Sequence, residues 1–234
     1  MKSKLVNKGD YYKDCGFYEE AYVYYLEAAL NEGDGNAIFN LGVMYLNGEY
    51  VDRNYEKAFG YFRKAYELTG KVPYYDRIYD QYDEIAADKE GRRCFREYMD
   101  YLLEVGRSEL YIMIGGEYGL GKIYPYDIAR QIDYYEKAID IGINVGYDYL
   151  AEIYFEGKGV PQDYEKAYRY LTSYEGADSY TKTYILAEMY RNGFYLEKDI
   201  TKAKELYQTI VDDDFKSKYL DTYYQMACER LKEL

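Results

Sequence analysis

The 234-residue sequence predicts an all-α solenoid of about six helix-turn-helix units, stacked in chain order and closed by a terminal helix. Three observations point there. A large apolar residue, a small residue and a tyrosine recur at positions i, i+1 and i+4, with glycine at i+7. In three places that glycine stands ten residues before an alanine: Gly48 and Ala58, Gly157 and Ala167, Gly193 and Ala203. The large-residue positions Ile114, Leu150 and Leu186 are 36 residues apart, and self-similarity at such a period marks repeat architectures.

Taken in order, the first unit spans residues 4–33. It turns at Gly16 and places Ala21, Tyr24, Tyr25 and Ala28 on its second helix. The second, 36–70, has Leu41, Gly42, Tyr45 and Gly48, then Tyr55, Ala58, Tyr61, Phe62 and Ala65. The third, 73–106, is degenerate: Tyr74, Tyr75 and Ile78 lead to Gln81 where glycine should stand, and Gly91, Cys94, Phe95 and Tyr98 follow. The fourth, 108–142, has Ile114, Gly115, Tyr118 and Gly121, but Gln131 takes the alanine position before Tyr134, Tyr135 and Ala138. The fifth, 146–178, and the sixth, 181–214, return to the pattern with Leu150-Ala151, Tyr154 and Leu186-Ala187, Tyr190. Residues 215–234, with Tyr219, Leu220, Tyr223, Tyr224, Ala227 and Leu231, form the terminal helix that covers the last open face, as solenoid ends require.

Each unit has a physical logic. On the first helix the large residue and the tyrosine share a face, and the small residue between them admits the partner helix closely. Glycine at i+7 ends that helix because it tolerates the left-handed cap conformation. Asp163 and Asp199 are placed to cap the following helices by accepting bonds from free backbone N–H groups. Gly70, Gly106 and Gly142 are expected to close second helices. The framework tyrosines Tyr45, Tyr61, Tyr118, Tyr134, Tyr154, Tyr170 and Tyr190 are expected in the core, which absorbs many of the 38 tyrosines.

The segment Asn36 to Gly48, with Tyr55-Glu56-Lys57-Ala58 downstream, closely resembles the Sel1-like repeat signature. So does Gly157-Lys158-Gly159-Val160-Pro161 with Asp163-Tyr164-Glu165-Lys166-Ala167, through its Gly-x-Gly-Val loop. The resemblance is close over 34–70 and 146–207, partial over 108–142 and poor over 71–106. The first unit is more similar to the related tetratricopeptide repeat. This resemblance implies a right-handed α/α superhelix over a single domain, 1–234, and a role as adaptor, regulator or assembly platform.

Composition narrows the function classes. Asp and Glu number 43 against 30 Lys and Arg, a formal charge of −13. Such a chain lacks the broad basic surface that phosphate-backbone binding needs, so no nucleic-acid partner is expected, and no anionic membrane surface either. There is no histidine, which removes Ser-His-Asp and Cys-His catalysis and imidazole zinc sites. Cys15, Cys94 and Cys228 lie far apart; free thiols fit a reducing compartment. The amino terminus has no apolar run of secretion-signal length, so a cytoplasmic monomer without cofactor or metal is the expectation.

Three motifs invite other readings. Gly119-Leu120-Gly121 and Gly157-Lys158-Gly159 look like phosphate loops, but they follow a helix, whereas a dinucleotide fingerprint follows a strand. Asp212-Asp213-Asp214 lacks the glycine and terminal glutamate of a calcium loop and is read instead as the acidic start of the last helix. Asp and Glu also keep open a carboxylate-dependent hydrolase on a helical-hairpin scaffold. The short uniform loops and the absence of tryptophan weigh against it, and a non-enzymatic protein is expected. A self-assembling structural repeat is a further alternative; the polar tail Glu229 to Leu234 weighs against end-to-end stacking.

In related helical repeats the first helix of each hairpin lines the concave groove. Projected onto this register, the partner-binding candidates are Phe39, Val43 and Asn47 in the second unit, with Asp76 and Asp80 in the third. The fifth and sixth units contribute Asp148, Glu152, Phe155, Glu156, Tyr184, Glu188, Arg191 and Asn192. The fourth unit, with Ile112, Gly116 and Leu120, is a shallow apolar stretch. An acidic groove with aromatic patches predicts a protein or peptide partner rich in Lys or Arg.

Overall fold

A computed structural model describes residues 3–71, 78, 80–174, 179–212 and 222–234. These contain thirteen α-helices and no strand. In chain order they are α1 (Lys4–Asp14), α2 (Tyr18–Asn31), α3 (Gly35–Asn47), α4 (Tyr55–Thr69), α5 (Tyr82–Ala87), α6 (Lys89–Glu104) and α7 (Tyr111–Leu120). Then follow α8 (Ile128–Asp140), α9 (Val145–Glu156), α10 (Tyr164–Thr172), α11 (Tyr180–Asn192), α12 (Ile200–Asp212) and α13 (Thr222–Glu233). The fold is thus the expected all-α helical repeat. Contacts divide it into two compact units: residues 1–107 with 120–126, and residues 108–119 with 127–234. In the first, α1 packs on α2, α2 on α3, α3 on α4 and α4 on α6; in the second, α8 through α13 each pack on the next or next-but-one helix.

The hairpin loops are built alike in four places, which explains why the spacing from glycine to the next helix does not vary. Gly48, Gly157 and Gly193 end α3, α9 and α11 with φ of 74°, 70° and 75°, and Gly121 follows α7 at 68°. The backbone N–H of Asn54, Asp127, Asp163 and Asp199 then donates to the carbonyl of Tyr45, Tyr118, Tyr154 and Tyr190, at 2.9, 3.1, 2.9 and 2.9 Å. Each of these four residues also caps the next helix through its own side chain, accepting from the N–H three residues on. Gly70 closes α4 at φ 63°, and Gly106 and Gly142 follow α6 and α8 at 90° and 84°.

The framework tyrosines differ from expectation: of the seven, only Tyr118 is buried, and the rest are half-buried. Their rings stack at the edge of the hairpin, Tyr45 on Tyr61, Tyr118 on Tyr134 and Tyr154 on Tyr170, with centroids 5.7, 5.7 and 5.9 Å apart. A cation from the second helix lies over each first-helix ring: Lys57 on Tyr45, Arg130 on Tyr118, Lys166 on Tyr154 and Lys202 on Tyr190. A tyrosine suits this position because its ring packs while its hydroxyl remains hydrated or bonded. The core proper is made of the small and aliphatic positions, with Ala58, Ala151, Ala167, Ala187 and Ala203 fully buried.

The departure at Gln131 has a local counterpart. A Cβ on Gly119 would come within 2.4 Å of the Gln131 side chain, so this glycine makes room for the larger residue, whose Nε2 donates to the Tyr135 hydroxyl at 3.2 Å. Gly119 therefore serves packing. Asp212 ends α12, where it accepts a bond from Gln208, rather than opening the terminal helix. Asp213 and Asp214, residues 215–221 and the tyrosines at 74 and 75 lie outside the described residues. No described helix is long and apolar enough to cross a membrane.

Candidate functional site

In the second compact unit the first helices of two successive hairpins, α9 and α11, stand beside α13 and border an open cavity of about 450 Å³. Five of the sequence-derived candidates meet there. Glu152, Phe155 and Glu156 come from α9, and Tyr184 and Glu188 from α11. The repeat register brings them together: positions 152, 155 and 156 share one helical face, and α11 presents the corresponding face one repeat later.

Sequence reasoning missed the third wall. Tyr223, Met226 and Arg230 of α13 line the cavity, and Lys158 reaches it from the loop after α9. The signal was available, since residues 223, 226 and 230 follow an i, i+3, i+7 pattern that places them on one helix face. The face against which that helix docks was not.

The terminal helix changes the electrostatics of the site. Glu188 is only 7% exposed, and its Oε1 accepts from the Tyr207 hydroxyl at 2.6 Å and from Arg230 Nε at 2.8 Å. Asn192 Nδ2 donates to Glu188 Oε2 at 3.1 Å, and Arg191 lies 3.8 Å from the same oxygen while pairing with Glu233 at 2.7 Å. Glu188 is therefore a satisfied structural carboxylate. Burial, the Glu188 bond and the Glu188 charge push the Tyr207 hydroxyl far up. Burial followed by the Glu188 charge raises Tyr184 to about 12. Arg230 is held more firmly protonated: its partial burial opposes this, but the Glu188 charge and the bonds to Tyr184 and Glu188 together outweigh it.

The second carboxylate group is different in kind. Glu152 and Glu156 are one-quarter and two-fifths exposed, and both bind Lys158 Nζ at 2.7 Å. Burial lowers Lys158, but the bonds to Glu152 and Glu156 and their charges together push it up. Tyr223 is raised by burial and then by the Glu152 charge. Phe155, Tyr184, Ile185 and Met226 supply an apolar wall beside this acid pair. Such an arrangement suits a cation carried on an aliphatic stem, which keeps its methylenes on apolar surface and its charge at the carboxylates.

The other candidates lie elsewhere. Asp148, one turn before Glu152 on α9, is 5% exposed, with one carboxylate oxygen unbonded among the described residues. Its carboxyl is raised by burial, which outweighs the lowering from Ser179 and Lys182. In the first compact unit, Val43 is 2% exposed, so it belongs to the core rather than to an open groove. The reason is that α3 is buried around most of its circumference by α2 and α4. Phe39 is half-buried with its ring 5.3 Å from Phe62, and Asn47 donates to Glu49 at 2.8 Å. Asp80 is exposed, and Asp76 lies outside the described residues. No group of three or more Cys, Asp and Glu able to hold a metal occurs among the described residues.

The family model described as Sel1 repeat matches residues 35–69, 109–143, 145–173 and 183–210, together more than half of the chain. The first and third units, which depart from the pattern, fall outside these matches. Among solved structures, the chain is similar to a protective antigen of uropathogenic Escherichia coli displaying an SLR fold, with 22% identity and a TM-score of 0.49. That likeness covers 97% of this chain and 53% of the other, so the chain spans about half the length of the antigen structure. A Sel1 repeat protein from Oxalobacter formigenes has 22% identity over 97% of this chain and 86% of its own, with a TM-score of 0.40. With four repeats matched and each located on a described helical hairpin, the chain belongs to the Sel1 repeat family.

Proposed function

We propose that this chain is a non-catalytic adaptor that binds a segment of a protein partner bearing Lys or Arg, with the α9–α11–α13 cavity as its recognition site. The observation that carries this reading is the pairing of two accessible carboxylates, Glu152 and Glu156, with an apolar wall in one concavity of about 450 Å³. Membership of a family of protein-interaction repeats supports it. Glu152, Phe155 and Glu156 are the proposed contact residues, and Tyr184, only 4% exposed, backs them from the core. Glu188 acts behind them by holding α11 and α13 together, and Arg191 and Asn192 support Glu188.

The test is a peptide array of Lys/Arg-bearing, neutral and acidic sequences probed with the purified chain and with E152K/E156K. Charge reversal at these two partly exposed positions removes no partner of Glu188. Preference for basic sequences, lost in the double variant and weakened by salt, is the expected result. Equal binding of all three classes, or an unchanged pattern in E152K/E156K, rejects the reading.

A further inference from the structure

The cation already seated in this cavity belongs to the chain itself. Lys158 stands at the centre of the Gly157-Lys158-Gly159 loop, with both flanking glycines in the left-handed region at φ 70° and 73°. From there its ammonium bridges Glu152 and Glu156 at 2.7 Å each. Its side chain is about half exposed, and exposed ion pairs contribute little because water and salt screen them and two side chains must be ordered. The other cation of the wall, Arg230, is committed to the buried Glu188. The two cations of the cavity thus differ in how readily they can be displaced.

We propose that Lys158 is an internal stand-in for a lysine of the partner protein, and that the partner's ammonium displaces it from Glu152 and Glu156. The incoming methylene stem runs along Phe155, which stands between the two acids on α9, and Met226 of α13, both of which line the cavity. Lysine fits better than arginine here, because two carboxylates one helical turn apart and converging on a single nitrogen match a compact point charge. A guanidinium is planar and favours the two parallel bonds of a single carboxylate. Lys158 is then a specificity-determining residue that weakens binding through competition, and the inference rests on the basic-partner reading above.

The experiment uses the full chain and fluorescently labelled, end-blocked ten-residue peptides of Ala, Gly and Ser carrying two Lys, two Arg or two Gln, read by fluorescence anisotropy. K158Q removes the competing charge while keeping a flexible polar side chain, and K64Q, on the exposed face of α4, is the control of equal net charge. K158Q is expected to bind the Lys peptide about fivefold more tightly than the unaltered chain, the factor set by release of two weak, partly exposed ion pairs. K64Q should match the unaltered chain, and E152Q/E156Q should lose the preference for Lys.

If the Lys peptide binds through Glu152 and Glu156 but K158Q binds it no more tightly than K64Q does, the displacement proposal fails and the basic-partner reading stands. Absence of any Lys or Arg preference in both the unaltered chain and K158Q overturns both. Putrescine binding as tightly as the peptide would assign the site to a free amine and overturn the partner lysine.

Discussion

Replacing Gly42 or Gly60 by alanine makes the same chemical change in two helices of one hairpin, and the packing predicts opposite signs. At Gly60, in the middle of α4, an added Cβ meets no atom within 4 Å. The gain is then the helix-propensity difference between glycine and alanine, about 1 kcal/mol. At Gly42 on α3, the same Cβ would lie 2.7 Å from Phe62 Cε1 and 3.1 Å from the Ala58 carbonyl oxygen. Phe62 is fully buried, and its ring is held by Phe39, Phe59 and Tyr98 at centroid distances of 5.3, 5.7 and 6.2 Å. The ring cannot swing aside without disturbing three others, and the carbonyl belongs to the backbone of α4. Overpacking of this kind costs about 1–3 kcal/mol, so after the propensity gain G42A is left destabilised by up to about 2 kcal/mol. The two variants should therefore differ by the overpacking cost, about 1–3 kcal/mol, in urea unfolding followed by helical circular dichroism, with slopes unchanged. Equal stabilisation in both variants would show that α3 and α4 do not approach as closely as the repeat requires, and would refute the role assigned to the small residue.

Three further outcomes follow from the same structure. Arg230→Ala leaves the buried Glu188 with Tyr207, Asn192 and the more distant Arg191; it should destabilise by about 2–3 kcal/mol, and adding Glu188→Gln should recover part of this in a double-mutant cycle. Lys166→Met keeps the stem but removes the ammonium that lies 4.0 Å from the Tyr154 ring centroid and donates to its hydroxyl at 2.8 Å; a loss of about 0.5–1 kcal/mol is expected in the same unfolding assay, and no loss would reduce the repeated Lys–Tyr contact to incidental packing. Tyr170 and Tyr184 are each raised to about 12, mainly by burial, so the fold favours their neutral form. Their contribution is complete below the unfolded value near 10 and is lost as pH rises toward 12. Absorbance at 295 nm should show a late tyrosine phase that coincides with loss of helix; full ionisation near pH 10 without unfolding would contradict the burial.

The hairpins, their caps and their loops were legible in the sequence. These depend on contacts within a few residues: Gly48, Gly157 and Gly193 end helices because only the local backbone conformation decides it, and Asn54, Asp127, Asp163 and Asp199 cap helices three residues away. Even the exception at Gln131 was visible as a break in spacing. The fixed register also placed Glu152, Phe155, Glu156, Tyr184 and Glu188 on neighbouring faces, and the structure brings them to one cavity.

Only the tertiary structure decided what those residues are free to do. Glu188 and Glu152 are both acidic residues at related repeat positions, yet one is sealed against Tyr207 and Arg230 while the other faces the cavity beside Lys158. Val43 follows the groove register and is nevertheless buried. The difference depends on how α13 docks, which joins residues 188 and 230 across 42 positions of sequence. A periodic pattern records which face of a helix is apolar. Which neighbour covers that face, and which charges its docking neutralises, is set by long-range packing that no local period encodes.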